Sequence, residues 1–213
     1  DDNARGSRAA LAGGKERAVD RRADGNIEIS IIDHDQRVLS AHFQLRLFAR
    51  RHGRNADVLA RQHWLGDEEA HGHEAAALAA TARQQALAQG LSFIAETVFS
   101  HPSKLQLIRD ARGAGYIVHL HVVLVPEALS QARVKLRAEQ GGHSVPEHKV
   151  RERYQRLWPL VSQAIALAHA ARVYDNSSAR EPYRTVAAYE NGRPVVPEDY
   201  PAWSAWRGPA AAN

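Results

Sequence analysis

Residues 113–154 read GAGYIVHLHVVLVPEALSQARVKLRAEQGGHSVPEHKVRERY. Tyr116–Val125 is long and β-branched, the strongest strand signal in the chain. Pro126 opens a helix with Leu129, Ala132 and Leu136 on one side, and Gly141-Gly142 closes it. Ser144-Val145-Pro146-Glu147 is a capping box with proline at the first helical position. The helix it starts places Val150, Tyr154, Leu157 and Val161 on one face, and Pro159 should kink or divide it. A buried strand feeding two helices is the signature of a layered α/β fold.

Working upstream, Ser100 is set to cap a helix through Arg112 that carries Leu105 and Ile108 inward, with glycines 113 and 115 ending it. Leu91–Ala95 reads as a buried strand that delivers Glu96 and Thr97 at its end. Asp67, Glu68 and Glu69 suit the first turn of an alanine-rich helix running to Gln89, and Gly90 stops it. Asn55–Arg61 leads to a loop at Trp64–Gly66. Val38–Phe48 fits a helix or a strand equally, whereas Ile27–Ile32 is a short strand. Residues 1–26 mix arginine with Asp, Gly, Ser and Ala and hold little that packs, so a poorly ordered arm over 1–50 is expected.

Downstream, Arg172–Tyr174 is a short strand ending in Asp175-Asn176-Ser177. Val186–Tyr189 and Pro194–Val196 flank Asn191-Gly192, a hairpin turn signal. The tail from 198, with Trp203 and Trp206, reads as a wrap or a frayed end. Strands alternating with helices predict a mainly parallel sheet with ligands beyond the carboxyl ends of its strands. Glu96, Thr97, Pro126 and Asp175 then share one rim.

The bulk numbers narrow the class without naming the chemistry. The chain has 213 residues, 44% hydrophobic and 24% charged, with a net charge of +4 and no cysteine. Disulfides and thiolate metal sites are excluded, and a cytoplasmic address fits. No apolar run reaches the length of a membrane span. The mild positive charge favours anionic partners such as nucleotides.

The cations are arranged rather than scattered. Arg133 and Arg137 stand one helical turn apart, and Lys149, Arg153 and Arg156 share a face of the next helix. Across the Gly141-Gly142 hinge they suit closure over phosphates; read blandly, they are two solvated helix faces. Glu96 and Thr97 offer a carboxylate and a hydroxyl to a substrate hydroxyl or a metal-bound water. Asp57 is either a general base or an Asx cap. His71 with His73, and His119 with His121, form i, i+2 pairs, but no acid spacing completes a metal ligand set. GxxxxGK[ST] occurs nowhere in the chain, and Gly13-Gly14-Lys15-Glu16 lacks the leading glycine spacing, the hydroxyl residue and a preceding strand.

Asn55-Ala56-Asp57, SFIAET at 92–97, the 113–125 strand, the 133–156 block and VYDNSS at 173–178 together resemble the zeta toxin family of P-loop kinases. The likeness runs from about 54 to 180 in order. It implies a three-layer P-loop-kinase-like fold over 54–197, with the first strand and P-loop region atypical or missing, and a tail over 198–213. It also implies an ATP- and Mg²⁺-dependent phosphotransferase, similar to enzymes that phosphorylate UDP-N-acetylglucosamine. In that pattern Asp57 is the base for the acceptor hydroxyl, and Glu96 and Thr97 lie in the substrate or metal region. Arg137 and Arg153 match lid arginines, with Arg133 beside them, and Asp175-Asn176 lies toward the nucleotide. Residues 1–50 resemble no part of the family, which suggests a replaced, inserted or frame-shifted segment and a catalytically impaired relative. A protein partner of antitoxin type is a second expectation, with the alanine-rich helix, Trp203 and Trp206 as contact surface. Nucleic-acid binding by the basic arm is disfavoured, because no recognition motif accompanies the charge.

Overall fold

A computed structural model describes residues 26–31, 56–67, 70–139 and 145–209; for 26–31, Asp57 and Val58 it describes the backbone alone. The expectations for residues 1–25 and 38–48, for Gly141-Gly142 and for the Ser144 cap lie outside the described residues.

Six described strands form one sheet in the order β2-β1-β3-β4-β5-β6. These are β1 (Asn26–Ile31), β2 (Phe93–Thr97), β3 (Ile117–Leu124), β4 (Ala170–Asp175), β5 (Arg184–Glu190) and β6 (Arg193–Pro194). The first four in spatial order run parallel, and β5 and β6 add an antiparallel edge. The short strand read near Ile27 is therefore an inner member of the sheet, hydrogen-bonded to β2 on one side and β3 on the other. From β1 the chain passes to β2 and then crosses back to β3. Strand order reverses there, which opens a crevice beyond the carboxyl ends of β1 and β3.

The pleat divides the residues between two faces. Val118, Leu120, Val122 and Leu124 of β3 belong to the main core with Phe93 and Ala95 of β2. Ile27, Ile29 and Ile31 pair in register with Val118, Leu120 and Val122. The intervening Glu28 and Ser30 are in register with His119 and His121.

Five described helices connect the strands: α1 (Ala56–His63), α2 (Gly72–Ala88), α3 (Ser103–Gly113), α4 (Glu127–Glu139) and α5 (Glu147–Leu167). Helix α5 buries Val150, Leu157 and Val161 of the expected stripe and adds Ala164 and Ile165, while Tyr154 is only half-buried. It stays continuous through Pro159, which is exposed, as is Gln155. The carbonyl deprived of its helical partner thus faces water, so the helix is not divided. Pro146 precedes the first turn instead of occupying it, and its carbonyl accepts from the Lys149 N–H at 3.0 Å.

Three other local expectations change. Helix α4 buries Ser130 and Val134 rather than Ala132 and Leu136, and Leu136 is 54% exposed. Leu129 goes to a separate small cluster of Val123, Val125, Tyr174 and Tyr183. Helix α3 starts at Ser103, whose N–H donates to His101 Nδ1 at 3.2 Å, so His101 takes the place expected for Ser100. Helix α2 starts at Gly72 rather than at the acids. His71 stacks on Trp64 with ring centroids 4.7 Å apart, and its Nε2 lies 3.3 Å from Asp67. Those contacts hold Asp67 in the preceding loop.

The tail wraps. Trp206 stacks on Trp158 with centroids 5.1 Å apart, and its indole N–H donates to Ser162 Oγ at 2.9 Å. Trp206 is thus half-buried against the core rather than an exposed contact residue. Asn191 and Gly192 both have positive φ, as the hairpin signal requires.

Candidate functional site

The carboxyl ends of the parallel strands bring one group of predicted residues together. Asn176, just past β4, donates its backbone N–H to the Leu124 carbonyl at 2.9 Å, which fixes the loop against the end of β3. Its own carbonyl accepts from Arg133 Nη2 at 3.3 Å. Arg133 is thereby held half-buried beside the rim, with Arg137 one turn further along α4 and also half-buried. Asp175 is buried, accepts the Ser177 N–H at 2.9 Å through Oδ1, and has Oδ2 3.6 Å from Arg184. Arg184 in turn pairs with Asp199 of the tail. The carboxylate of Asp175 shapes the loop, and the guanidinium of Arg133 is the group the loop presents.

Tyr183 joins this group, and sequence reading missed it. It is 9% exposed and has φ of 57°, a left-handed conformation that a bulky side chain rarely adopts. Burial pushes its hydroxyl above the usual value; opposing this are the nearby Arg133 cation and a hydrogen bond from the Asn176 side chain, while Glu96 adds a smaller upward push. Tyr183 thus links Arg133 and Asn176 to the β2 end. Among local signals, only its position between the Asp175 loop and the β5 run marked it.

Glu96 and Thr97 both lie inside β2 and are half-buried. As consecutive strand residues they take opposite faces, so they do not form a pair. Glu96 is in register with Ser30, and Ser30 with His121; Thr97 is in register with Ile31. The Thr97 hydroxyl donates to the Val98 carbonyl at 3.3 Å.

Asp57 is the second residue of α1, and its side chain lies outside the described residues. Arg153 is half-buried on α5, flanking the buried stripe. Lys149 and Arg156 are exposed, and Arg156 donates to the Glu152 carbonyl of its own helix. For those two the solvated-face reading holds.

His121 lies deeper, with Nδ1 3.2 Å from the Tyr174 hydroxyl and the rings stacked at 6.0 Å. Burial, then repulsion from His119 and Arg172, lowers its pKa to about 4 from 6.5. The unfolded chain binds more protons between those two values, so stability should fall as pH drops through that window, by up to about 3 kcal/mol. His121→Gln should flatten this acid limb in a urea-denaturation series taken against pH. An unchanged limb would assign the loss to other groups. Among the described residues no three of His, Asp, Glu or Cys gather as a metal site.

Residues 48–187 match the zeta toxin family, about two thirds of the chain. The chain belongs to the zeta toxin family. A comparison with curated proteins returns no match.

Among solved structures, the zeta toxin chain is similar to one from the PezAT chromosomal toxin–antitoxin system of Streptococcus pneumoniae. The TM-score is 0.53 at 12% identity, covering 84% of this chain and 75% of that one. It is also similar to a chain of the AvrRxo1-ORF1:AvrRxo1-ORF2 complex with sulphate ions, with a TM-score of 0.62 at 16% identity, covering 81% of this chain and 61% of that one. The same complex with ATP gives a TM-score of 0.61 at 16% identity, covering 81% and 60%. This chain therefore spans less than two thirds of the AvrRxo1 chain matched. At such identities the likeness is one of fold, and it agrees with the P-loop-kinase-like sheet. No described helix is long and apolar enough to cross a membrane.

Proposed function

We propose that this chain is an ATP-dependent phosphotransferase of zeta-toxin type that acts on a hydroxyl of a small nucleotide-sugar-like acceptor. The observation that carries this is the Arg133–Asn176 contact at the carboxyl rim, which fixes a cation where a phosphate would lie. Arg137 and Arg153 add charge on the neighbouring helices, Asp57 accepts the proton of the acceptor hydroxyl, and Glu96 orients the acceptor or a metal ligand. Asp175 and Asn176 shape the nucleotide side of the rim. ATP with Mg²⁺ would supply the phosphoryl group and neutralise charge on it.

The second reading, a catalytically impaired member held by a protein partner, is favoured by one observation. Strand β1 leads into Ile32-Asp33-His34-Asp35-Gln36-Arg37, which contains neither glycine nor lysine. A phosphate cradle relies on close backbone approach through glycine and on a lysine, and this segment offers neither. The toxin–antitoxin system of the pneumococcal relative makes an antitoxin-like protein the partner to seek.

Calorimetry with ATP and Mg²⁺, followed by phosphoryl transfer to UDP-N-acetylglucosamine, separates the two readings. The phosphotransferase reading expects measurable binding and slow transfer, with Asp57→Asn lowering transfer about a hundredfold at unchanged ATP affinity. Absent ATP binding by the intact chain would sink it, and co-purification of a small protein would support the second.

A further inference from the structure

Residues 176–183 leave the sheet between β4 and β5 and return to it, and the neck of this excursion is a cross-strand pair. Asp175 and Arg184 stand opposite each other in the antiparallel register. The Asp175 side chain is only 11% exposed, and its Oδ1 is taken by the Ser177 N–H. Its Oδ2 has Arg184 Nη2 at 3.6 Å, an ion pair rather than a hydrogen bond. Asn176, next in the chain, carries the carbonyl that holds Arg133. Whatever fixes Arg184 therefore acts on the loop that seats the rim cation.

What fixes Arg184 comes from the tail. Its other terminal nitrogen, Nη1, donates to Asp199 Oδ2. Asp199 is itself held, because its backbone N–H donates to the Val186 carbonyl at 2.8 Å. Beside it, Glu198 accepts from the Tyr189 hydroxyl, which lies 2.7 Å from the Tyr200 hydroxyl. The Asp199 carboxylate is thus presented by a segment docked along β5. Two carboxylates bear on one guanidinium through different nitrogens, so they do not compete for a donor. Bound only by a pair at 3.6 Å, a long side chain would keep much of its rotamer freedom. The second carboxylate removes that freedom and aims Nη2 at Asp175.

We propose that the docked tail positions this rim loop: Asp199 holds Arg184, and Arg184 closes the neck of the 176–183 excursion on Asp175. The loop's service to ATP rests on the phosphotransferase reading, whereas the coupling from tail to loop does not. Hydrogen exchange followed by mass spectrometry on the full chain tests the coupling directly. Asp199→Asn keeps the backbone bond to Val186 and removes the charge. Exchange in peptides spanning 176–183, where the Ser177 N–H reports on Asp175, should speed up. The factor is about two- to fivefold, as for a surface ion pair, since Asp199 is 78% exposed. Peptides spanning 200–207 should not change, because Trp206 stays on Trp158 and Ser162. Asp199→Glu, with room in solvent for a longer carboxylate, should restore protection of the loop. Unchanged or slower exchange in 176–183, or faster exchange confined to the tail, would overturn the proposal. If Asp199→Asn loosens tail and loop together, Asp199→Glu decides: a loop protected again supports the pair as the link, and a loop still loose refutes it. In calorimetry with ATP and Mg²⁺, Asp199→Asn should weaken binding by the same factor. A wild-type chain that binds no ATP removes the phosphotransferase reading and leaves the exchange result standing. Equal ATP affinity in wild type and Asp199→Asn overturns the loop's part in holding nucleotide.

Discussion

Replacing Arg133 by Ala is expected to lower phosphoryl transfer by about a thousandfold while leaving the fold intact. The guanidinium is half-buried at the rim and spends one N–H on the Asn176 carbonyl at 3.3 Å. Its remaining donors stay in a fixed plane, and an arginine so placed on a transferring phosphoryl group contributes roughly 10³ to 10⁵ in rate. Loss of the Asn176 contact alone costs about 1 kcal/mol, small beside the stability of a domain this size. Arg133→Lys should recover little, because a single ammonium cannot hold the carbonyl and bond a phosphate through a planar fork. Transfer assays beside melting curves check both halves of this expectation. Unchanged transfer in Arg133→Ala would reduce the residue to a strut between α4 and the β4 loop.

The second large effect is on stability. Tyr116 is 1% exposed, and its hydroxyl lies 3.1 to 3.3 Å from the carbonyls of Ala86, Leu87 and Leu91. It fills the main core and ties the end of α2 to the start of β3. Tyr116→Ala should cost about 4 kcal/mol, from lost transfer free energy plus the cavity left behind. Tyr116→Phe removes only the hydrogen bonding and should cost about 1 kcal/mol. Urea denaturation of both variants separates packing from the polar tie. A loss below about 1 kcal/mol in Tyr116→Ala would show that the core collapses around the gap.

Much of the architecture was legible because its signals are local. The long β-branched run of residues 116–125 and the glycines at 90, 113 and 115 bounded elements that the structure contains. The family likeness rested on motifs carried by those same elements. Arg133 and Asn176 were both named as site residues, although their contact was not foreseen. Legibility stopped where a residue's role depends on what packs against it. Leu136 looked inward by spacing, but α4 buries Ser130 and Val134 and leaves Leu136 54% exposed. Glu96 and Thr97 looked like a pair until the strand extended through both, and the pleat put them on opposite faces.

By itself, then, the sequence determined the α/β class, the succession of strands and helices and the family, because hydrophobic period and chain-breaking residues act within a few positions. Tertiary structure alone decided that Asn26–Ile31 is an inner strand, between β2 and β3. It alone brought Tyr183 to Arg133 and Asn176, and folded the tail over Trp158. Each of these joins residues 7 to about 90 positions apart. Their contacts arise from strand order and packing, which no local periodicity encodes.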